Sequence, residues 1–379
     1  MAVFEAWGFA RIVTPVFECA DVLERGLGHD ARAAAIRFVE PGTGEIVALR
    51  PDITPQVARL VATRMAEIER PLRLCYEGAV TRLAGELGQR ELLQAGIELI
   101  DAPDLDADAE VLAVAAAALA ASQLPETRLD VGHVAPVHHV VAAAPDPDAR
   151  ARLTAALARK DRAGVRVAAR ALPPAIAPLA EALVTLWGPA EATLARAAQL
   201  AWPPDVHAAL ARLREVLSAV AELADPPAPV MTVDLGDLRG FDYYTGVRFA
   251  GYAGGAPGAV LLGGRYDELI GRYGRPAHAT GFAMDLEAVA EAQRTVGVAA
   301  PRAALGVAVH GAGAARFARS LRARGLRAVT ATAVPTPGWL RGAGLDAALV
   351  IDAGGRRAVV LADDSRRDVE TSVSSLMEE

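Results

Sequence analysis

Leu238-Arg239-Gly240-Phe241-Asp242-Tyr243-Tyr244-Thr245 is the most informative segment of this sequence, and Gly263-Gly264-Arg265-Tyr266-Asp267 complements it further along the chain. Together the two segments hold half of the chain's 6 tyrosines, next to arginines and glycines. Aromatic rings with a polar tip suit a partly enclosed site, and glycine lets a ligand approach the backbone. The clustering therefore favours a ligand site over an ordinary surface.

Two earlier segments also contain polar side chains that suit a ligand. In Leu49-Arg50-Pro51-Asp52-Ile53-Thr54, a carboxylate and a hydroxyl precede a predicted helix, and they suit either a ligand's amino group or a simple helix cap. In Gln94-Ala95-Gly96-Ile97-Glu98, the two end residues lie on one face of a predicted strand inside an apolar run. Polar groups placed there need hydrogen-bond partners, which a ligand would supply.

Hydrophobic patterning predicts both strands and helices in the first part of the chain. Strands at 36–39 and 46–49 flank the turn residues Pro41-Gly42-Thr43-Gly44, as in a hairpin. Thr54 is suited to be the N-cap of the following helix, with Pro55 at its first position.

The rest of the chain changes character twice. Between residues 106 and 224, periodic Ala-rich and Leu-rich segments predict helices, with one short strand near 128–131. From residue 301 onward, strand and helix signals alternate, which is typical of a small α/β unit.

Composition excludes several classes of function. The net charge of -7 and the pI of about 5.6 weigh against a nucleic-acid partner. No apolar run reaches the ~20 residues that span a membrane, and the chain opens without a positively charged leader, so a cytoplasmic protein is expected. Cys19 and Cys75 do not suggest a disulfide framework. His133, His138 and His139 lack the spacing of a metal site, and we expect neither metal nor cofactor.

The informative segments resemble the signature motifs of class II histidyl-tRNA synthetases and of their paralogues, the regulatory subunits of ATP phosphoribosyltransferase. Gly8–Glu18 resembles motif 1, whose strand and proline form the dimer interface of the class, and Gly78–Glu98 resembles motif 2. The two tyrosine-rich segments resemble the histidine-specific motifs. The resemblance extends over residues 1 to 290, apart from the helical part, and holds only in outline beyond residue 301.

The resemblance implies a fold class and a domain plan. We expect an α+β fold with an antiparallel sheet and flanking helices, like that of class II aminoacyl-tRNA synthetases. This core would cover residues 1–300, with a helical insertion at about 145–225. Residues 301–379 would form a small α/β domain that resembles a reduced anticodon-binding domain.

Two departures from the synthetase pattern affect the use of ATP. Motif 3 of the class has an arginine that binds the γ-phosphate, and in Gly281-Phe282-Ala283-Met284-Asp285-Leu286-Glu287-Ala288 an alanine stands in its place. In motif 2 the family's Arg-x-Glu becomes Arg82-Leu83-Ala84. Removing one such electrostatic stabiliser typically slows catalysis by ~100- to 1000-fold. We therefore expect no catalytic residues in this chain.

The amino-acid pocket of the family, by contrast, still has a usable group at each position. The resemblance implies that the α-amino group is held by Asp52, which replaces the family's glutamate, and by Thr54. Glu98, Tyr244 and Tyr266 would recognise the imidazole, and Arg239 would lie near the carboxylate. The full set of expected histidine-binding residues is Asp52, Thr54, Arg82, Gln94, Glu98, Arg239, Tyr243, Tyr244 and Tyr266.

Loss of nucleotide contacts with retention of amino-acid contacts favours a sensor. Our hypothesis is a non-catalytic subunit that assembles with a short-form ATP phosphoribosyltransferase catalytic subunit, dimerises through its motif 1 element and responds to L-histidine. That partner joins ATP and phosphoribosyl pyrophosphate in the first step of histidine biosynthesis. The alternatives are an active histidyl-tRNA synthetase and a histidine-sensing module for another partner.

Overall fold

The computed structural model describes residues 1–83, 90–226, 230–239, 243–299, 305–354 and 357–363, apart from the side chains of residues 29 and 30. The chain divides into two compact units, Met1–Val298 and Ala299–Glu379. No helix within these ranges is long and apolar enough to cross a membrane.

The strands of the first unit alternate with helices along most of the chain. The strands are β1 (Ala10–Arg11), β2 (Phe17–Cys19), β3 (Arg37–Val39), β4 (Ile46–Leu49), β5 (Leu72–Thr81), β6 (Glu91–Ile100), β7 (Arg128–His133), β8 (Trp187–Pro189), β9 (Val230–Asp234), β10 (Val247–Tyr252), β11 (Leu261–Arg265) and β12 (Ala279–Asp285). The helices are α1 (Ala2–Ala6), α2 (Ala20–Glu24), α3 (His29–Ala34), α4 (Thr54–Thr63), α5 (Asp104–Ala121), α6 (Val134–Ala142), α7 (Pro147–Ala158), α8 (Arg162–Ala169), α9 (Ala177–Leu183), α10 (Ala190–Ala198), α11 (Pro204–Leu223) and α12 (Leu286–Val296).

Nine of these strands form one sheet in the order β1-β5-β6-β12-β11-β10-β7-β9-β8. Its neighbours pair antiparallel except at β1 with β5 and at β7 with β9. The predicted α+β fold with an antiparallel sheet is thus confirmed. The predicted hairpin is confirmed as well, because β3 and β4 pair antiparallel in a second sheet of order β2-β4-β3.

Strand periodicity gives the large sheet two different faces. In β6, Ala95, Ile97 and Leu99 enter the main hydrophobic core, which also contains much of α5 and α11. Helix α5 is rich in alanine and buried over most of its circumference, as a helix in a core must be apolar all round. Gln94 and Glu98 point to the opposite face, because residues an even number apart share a face. That face carries the candidate site.

Two predicted local features were wrong. Helix α4 begins at Thr54 and its N-cap is Ile53, so Thr54 is not the cap. Its hydroxyl lies 3.2 Å from the Tyr76 Oη instead. The stretch 145–225, which is described throughout, contains α7–α11 as predicted but also the short edge strand β8. The sequence pattern did not predict β8, because the strand contains Gly188 and Pro189. Proline is tolerated there because β8 lies at the edge of the sheet.

The second unit is a small α/β domain. Its strands are β13 (Gly306–Gly311), β14 (Arg327–Ala331), β15 (Ala347–Ile351) and β16 (Arg357–Leu361), and its helices are α13 (Ala314–Ala323) and α14 (Pro337–Gly342). The sheet order is β14-β13-β15-β16, parallel except for the pairing of β15 with β16. This arrangement agrees with the alternating strand and helix signals.

Candidate functional site

Glu98 lies at the centre of the polar face of the large sheet. It is 1% exposed, and it stands in β6 opposite Leu74 on one side and Gly281 on the other. Tyr266 donates a hydrogen bond to one carboxyl oxygen, and Tyr76 donates to the other at 3.4 Å. A side chain at Gly281 would overlap Glu98 Oε2 and the carbonyl of Ile97, so glycine is needed there.

Burial controls the ionisation of Glu98. Desolvation raises the pKa of this carboxyl to about 8, against hydrogen bonds from Tyr266, Thr54 and Tyr76 that lower it. Burial also raises the pKa of Tyr266 well above its usual range, so the phenol keeps its proton and acts as donor. At neutral pH the Glu98 carboxyl is therefore mainly protonated and can donate or accept a hydrogen bond.

The expected amino-group contacts meet beside Glu98. Asp52 Oδ1 accepts from the backbone N–H of Thr54 at 3.3 Å. Burial raises the pKa of the Asp52 carboxyl, while the nearby charge of Arg82 and a hydrogen bond from Gln94 oppose the rise. Arg82 Nε donates to the carbonyl of Pro51 at 3.0 Å, which ties this arginine to the same loop.

Two buried polar atoms of the site have no partner within the described part of the chain. They are Gln94 Oε1 and Tyr243 Oη. An unsatisfied buried group costs about 1–3 kcal/mol, so such groups persist where a ligand or water can satisfy them. Both atoms therefore indicate where a polar ligand would bind.

Three tyrosines connect the two ends of the site. The ring of Tyr243 lies 5.3 Å from that of Tyr266 and 5.2 Å from that of Tyr244. Burial, together with the charges of Asp52 and Glu98, raises the pKa of Tyr244 well above its usual range. The structure thus brings together eight of the nine predicted residues around one set of rings, namely Asp52, Thr54, Arg82, Gln94, Glu98, Tyr243, Tyr244 and Tyr266.

Arg239 lies at the far end, beyond Tyr244. It donates to Asp237 from Nε at 2.9 Å and to the hydroxyl of Tyr252 from Nη1. Asp237 also accepts from Arg248. Asp237, Arg239 and Arg248 line one pocket together with Tyr244.

The structure also locates the residues of the two ATP departures. Ala288 lies in the first turn of α12 and packs against the main core. The carboxylate of Asp285 caps this helix by accepting from the N–H groups of Glu287 and Ala288, at 3.0 and 2.9 Å. Ala84 lies outside the described residues.

Sequence reasoning missed three residues of the site, Tyr76, Asp237 and Arg248. Tyr76 shares its sheet face with Glu98, which the alternation along β5 could have shown. Asp237 and Arg248 lie on either side of the tyrosine-rich segment, and nothing in their spacing signals that they meet. His133 caps α6, because its Nδ1 accepts from the N–H of Ala135 at 3.1 Å.

Comparisons with known proteins show the family of the chain. The family model for histidyl-tRNA synthetase matches residues 1–289. The ATP phosphoribosyltransferase regulatory subunit of Anaeromyxobacter sp. (strain Fw109-5) is 46% identical over 296 residues, which are 76% of this chain and 85% of the relative. The protein of the same name from Geobacter metallireducens (strain ATCC 53774 / DSM 7210 / GS-15) is 42% identical, and the match covers 76% of this chain and 67% of the relative.

Solved structures show the same fold. The ATP phosphoribosyltransferase regulatory subunit/histidyl-tRNA synthetase from Bacillus halodurans C has a TM-score of 0.78 and 27% identity, and the match covers 93% of this chain and 91% of that one. The histidyl-tRNA synthetase from Nostoc sp. PCC 7120 has a TM-score of 0.77 and 20% identity, with 98% and 93% covered, and it supports the fold alone.

The raised pKa of Glu98 predicts a specific dependence of stability on pH. The folded state holds a proton between the usual carboxyl pKa of 4.5 and about 8, so the wild-type chain should lose stability as pH rises through this window. Each pKa unit corresponds to about 1.4 kcal/mol, which limits the loss to about 5 kcal/mol. Glu98→Gln does not titrate, so its free energy of unfolding relative to wild type should increase from pH 5 to pH 8. Urea unfolding at both pH values measures this.

The exposed Glu67→Gln is the control for this measurement, because it removes the same charge from the surface. It should follow the wild type at both pH values. Parallel pH profiles for wild type and Glu98→Gln would contradict the assigned burial of the Glu98 carboxyl.

Proposed function

The chain belongs to the histidyl-tRNA synthetase family and, within it, to the ATP phosphoribosyltransferase regulatory subunits, and we propose that it binds L-histidine around Glu98 and conveys this binding to a short-form catalytic subunit. As a regulatory subunit it is non-catalytic. The effect of histidine and the short form of the catalytic subunit go beyond what the names of the relatives state.

The observation that supports the histidine site best is the set of buried polar groups left open on the sheet face. Gln94 Oε1 is an acceptor without a partner, next to the carboxylate of Asp52, and the two suit an ammonium group. Glu98 can donate or accept, which suits either nitrogen of an imidazole. The phenol of Tyr243 adds another open position.

The remaining group of histidine is its carboxylate, which is bonded to the same carbon as the amino group. Arg239 is the cation available to it, because its charge acts on Tyr244 together with that of Asp52 and 39% of its side chain is exposed. Asp52 and Arg239 thus suit the ammonium and carboxylate groups of one α-carbon, and the protonated carboxyl of Glu98 suits the imidazole. This combination of groups favours histidine over a nucleotide.

Binding of histidine can regulate the partner only if it changes the partner's state. A ligand shifts an equilibrium between two states by as much as its affinities for them differ. Reciprocity then requires that the catalytic subunit change the affinity for histidine by the same factor, typically ~5- to 150-fold.

The synthetase alternative is not favoured, because relatives at 38–46% identity share the regulatory-subunit name.

We also propose that the chain dimerises through an exposed apolar surface in its motif 1 region. This motif 1 patch consists of Val13, Val16, Phe17, Phe38, Val39 and Ile46. Val13 is 82% exposed and Phe17 47%, and the rings of Phe17 and Phe38 meet edge to face at 5.7 Å. Contiguous apolar surface of this kind marks an interaction site.

A buried arginine holds the patch in place. Arg50 Nη1 donates to the carbonyl of Thr14 at 2.9 Å and to its hydroxyl at 2.8 Å, and Nε donates to the carbonyl of Ala79 at 2.7 Å. The loop before β2 is thereby fixed to β5. A second copy of the chain, related by twofold symmetry, would cover the patch with the same surface.

The first prediction is that the isolated chain does not activate histidine. Ala288 offers no charge to a phosphate, and Asp285 places a carboxylate at the same helix start. Histidine-dependent exchange of pyrophosphate into ATP should stay at background, with a histidyl-tRNA synthetase as the positive control. Exchange well above background would support the synthetase alternative.

The second prediction concerns feedback. Glu98→Ala removes a buried hydrogen-bonding group and should weaken histidine binding by about 1.5–3 kcal/mol, or about 10- to 150-fold. In the complex with the catalytic subunit, the inhibition curve should move to higher histidine concentration while activity without histidine is kept. Glu67→Ala is the matched surface control. Superimposed curves for wild type and a folded Glu98→Ala would place regulation in the catalytic subunit.

The third prediction tests the dimer. Phe17→Asp puts a charge at the centre of the motif 1 patch, so it should convert a dimer to a monomer at micromolar concentration, as measured by light scattering. Val167→Asp changes another exposed apolar residue, which lies on α8 outside the patch, and this variant should remain dimeric. A wild-type chain that is monomeric, or a Phe17→Asp variant that stays dimeric, would contradict the proposal.

A further inference from the structure

Arg248 lies next to the pocket and has no role in the proposed function. It is the second residue of β10, and only 5% of its side chain is exposed. A buried guanidinium needs partners. Arg248 finds them in the carboxylate of Asp237 and in the carbonyl of Asp234, which accepts from Nη2 at 3.1 Å.

Asp237 serves two guanidinium groups at once. It accepts from Nε of Arg239 at 3.1 and 2.9 Å, and it also accepts from Arg248. Over the described ranges, neither arginine has an ion pair with another carboxylate. Two cations and one anion leave this cluster with one excess positive charge.

The ionisation of Asp237 is consistent with this arrangement. Burial alone would raise its pKa, but the hydrogen bonds and charges of Arg239 and Arg248 hold it below the usual range. The carboxylate is therefore charged at neutral pH, and it bridges the two arginines.

The cluster is joined to the Glu98 end of the site. Arg239, Arg248 and Asp237 line one pocket with Tyr244. The ring of Tyr244 meets that of Tyr243, which in turn lies against Tyr266. Because Tyr266 donates to Glu98, these rings form a continuous row of contacts from the arginine cluster to the Glu98 carboxyl.

We propose that Arg248 is a positioning residue: through Asp237 it holds Arg239 in place to bind the carboxylate of the amino-acid ligand, and it thereby makes the pocket select histidine over analogues without a carboxylate. The inference rests on the proposed function, because it assigns a partner to one group of the bound histidine. The side chain of Arg248 is nearly buried and paired with Asp237, while the more exposed Arg239 makes the contact with the ligand carboxylate.

A positioning role and a purely electrostatic role of Arg248 predict opposite effects of Asp237→Asn on histidine binding. Arg248→Met removes the excess positive charge and one of the two groups that fix Asp237, so it should weaken carboxylate binding on either account. Asp237→Asn raises the net charge of the cluster but releases Arg239 from its bidentate partner. A purely electrostatic role predicts tighter histidine binding by Asp237→Asn, and a positioning role predicts weaker binding.

The test uses the full chain and two probes, L-histidine and L-histidinol, in which a hydroxymethyl group replaces the carboxylate. Isothermal titration calorimetry gives both affinities for wild type, Arg248→Met and Asp237→Asn. The exposed Arg294→Met on α12 is the control for loss of one positive charge. Circular dichroism and thermal unfolding show that each variant is folded.

We expect wild type and Arg294→Met to prefer histidine over histidinol. In Arg248→Met and Asp237→Asn, histidine affinity should fall at least about tenfold, as expected for loss of a charge-assisted hydrogen bond, while histidinol affinity stays the same. An unchanged preference in the two variants would overturn the inference alone, and so would a folded Asp237→Asn that binds histidine more tightly. A wild-type chain that binds neither probe would instead overturn the proposed function.

Discussion

The hydrogen bond between the buried carboxyl of Glu98 and Tyr266 is the interaction on which the site depends. A carboxyl 1% exposed in the middle of a sheet needs partners, and hydroxyls of Tyr266, Tyr76 and Thr54 supply them. Tyr266 comes from the segment after β11, and Tyr76 from β5. Gly281 on β12 clears the space above the carboxyl. One polar group thus fixes the relative positions of the neighbouring strands and the loop that follows β11.

The pocket combines charged and neutral groups. Asp52 and Arg82 form one charged set, and Asp237 with two arginines forms another. Beside them are tyrosines and a carboxyl that burial keeps mainly protonated. This set of groups complements the ammonium and carboxylate that an α-amino acid carries on one carbon, together with a polar, neutral ring. A site with one net charge throughout would instead favour a simple ion.

Sequence patterns predicted the fold well and the detailed contacts less well. The hairpin, the long helices and the antiparallel sheet follow from local periodicity and from the resemblance of the motifs. Helix α4 begins one residue away from the expected position, because Thr54 bonds to Tyr76 in the sheet rather than to its own helix. The contacts of Arg248 could not be predicted, since Asp237 meets it only after β10 has entered the sheet.

The first turn of α12 gives a physical reason for the non-catalytic character of the chain. The first turn of a helix attracts phosphate when its N–H groups are free. In α12 these groups donate to the carboxylate of Asp285, and Ala288 packs inward where the synthetase family has its arginine. A phosphate at this point would meet a negative charge and find no positive one from these residues. Under the proposed function, the free energy of histidine binding would have no adenylation step to drive and would be available to change how the subunit contacts its partner.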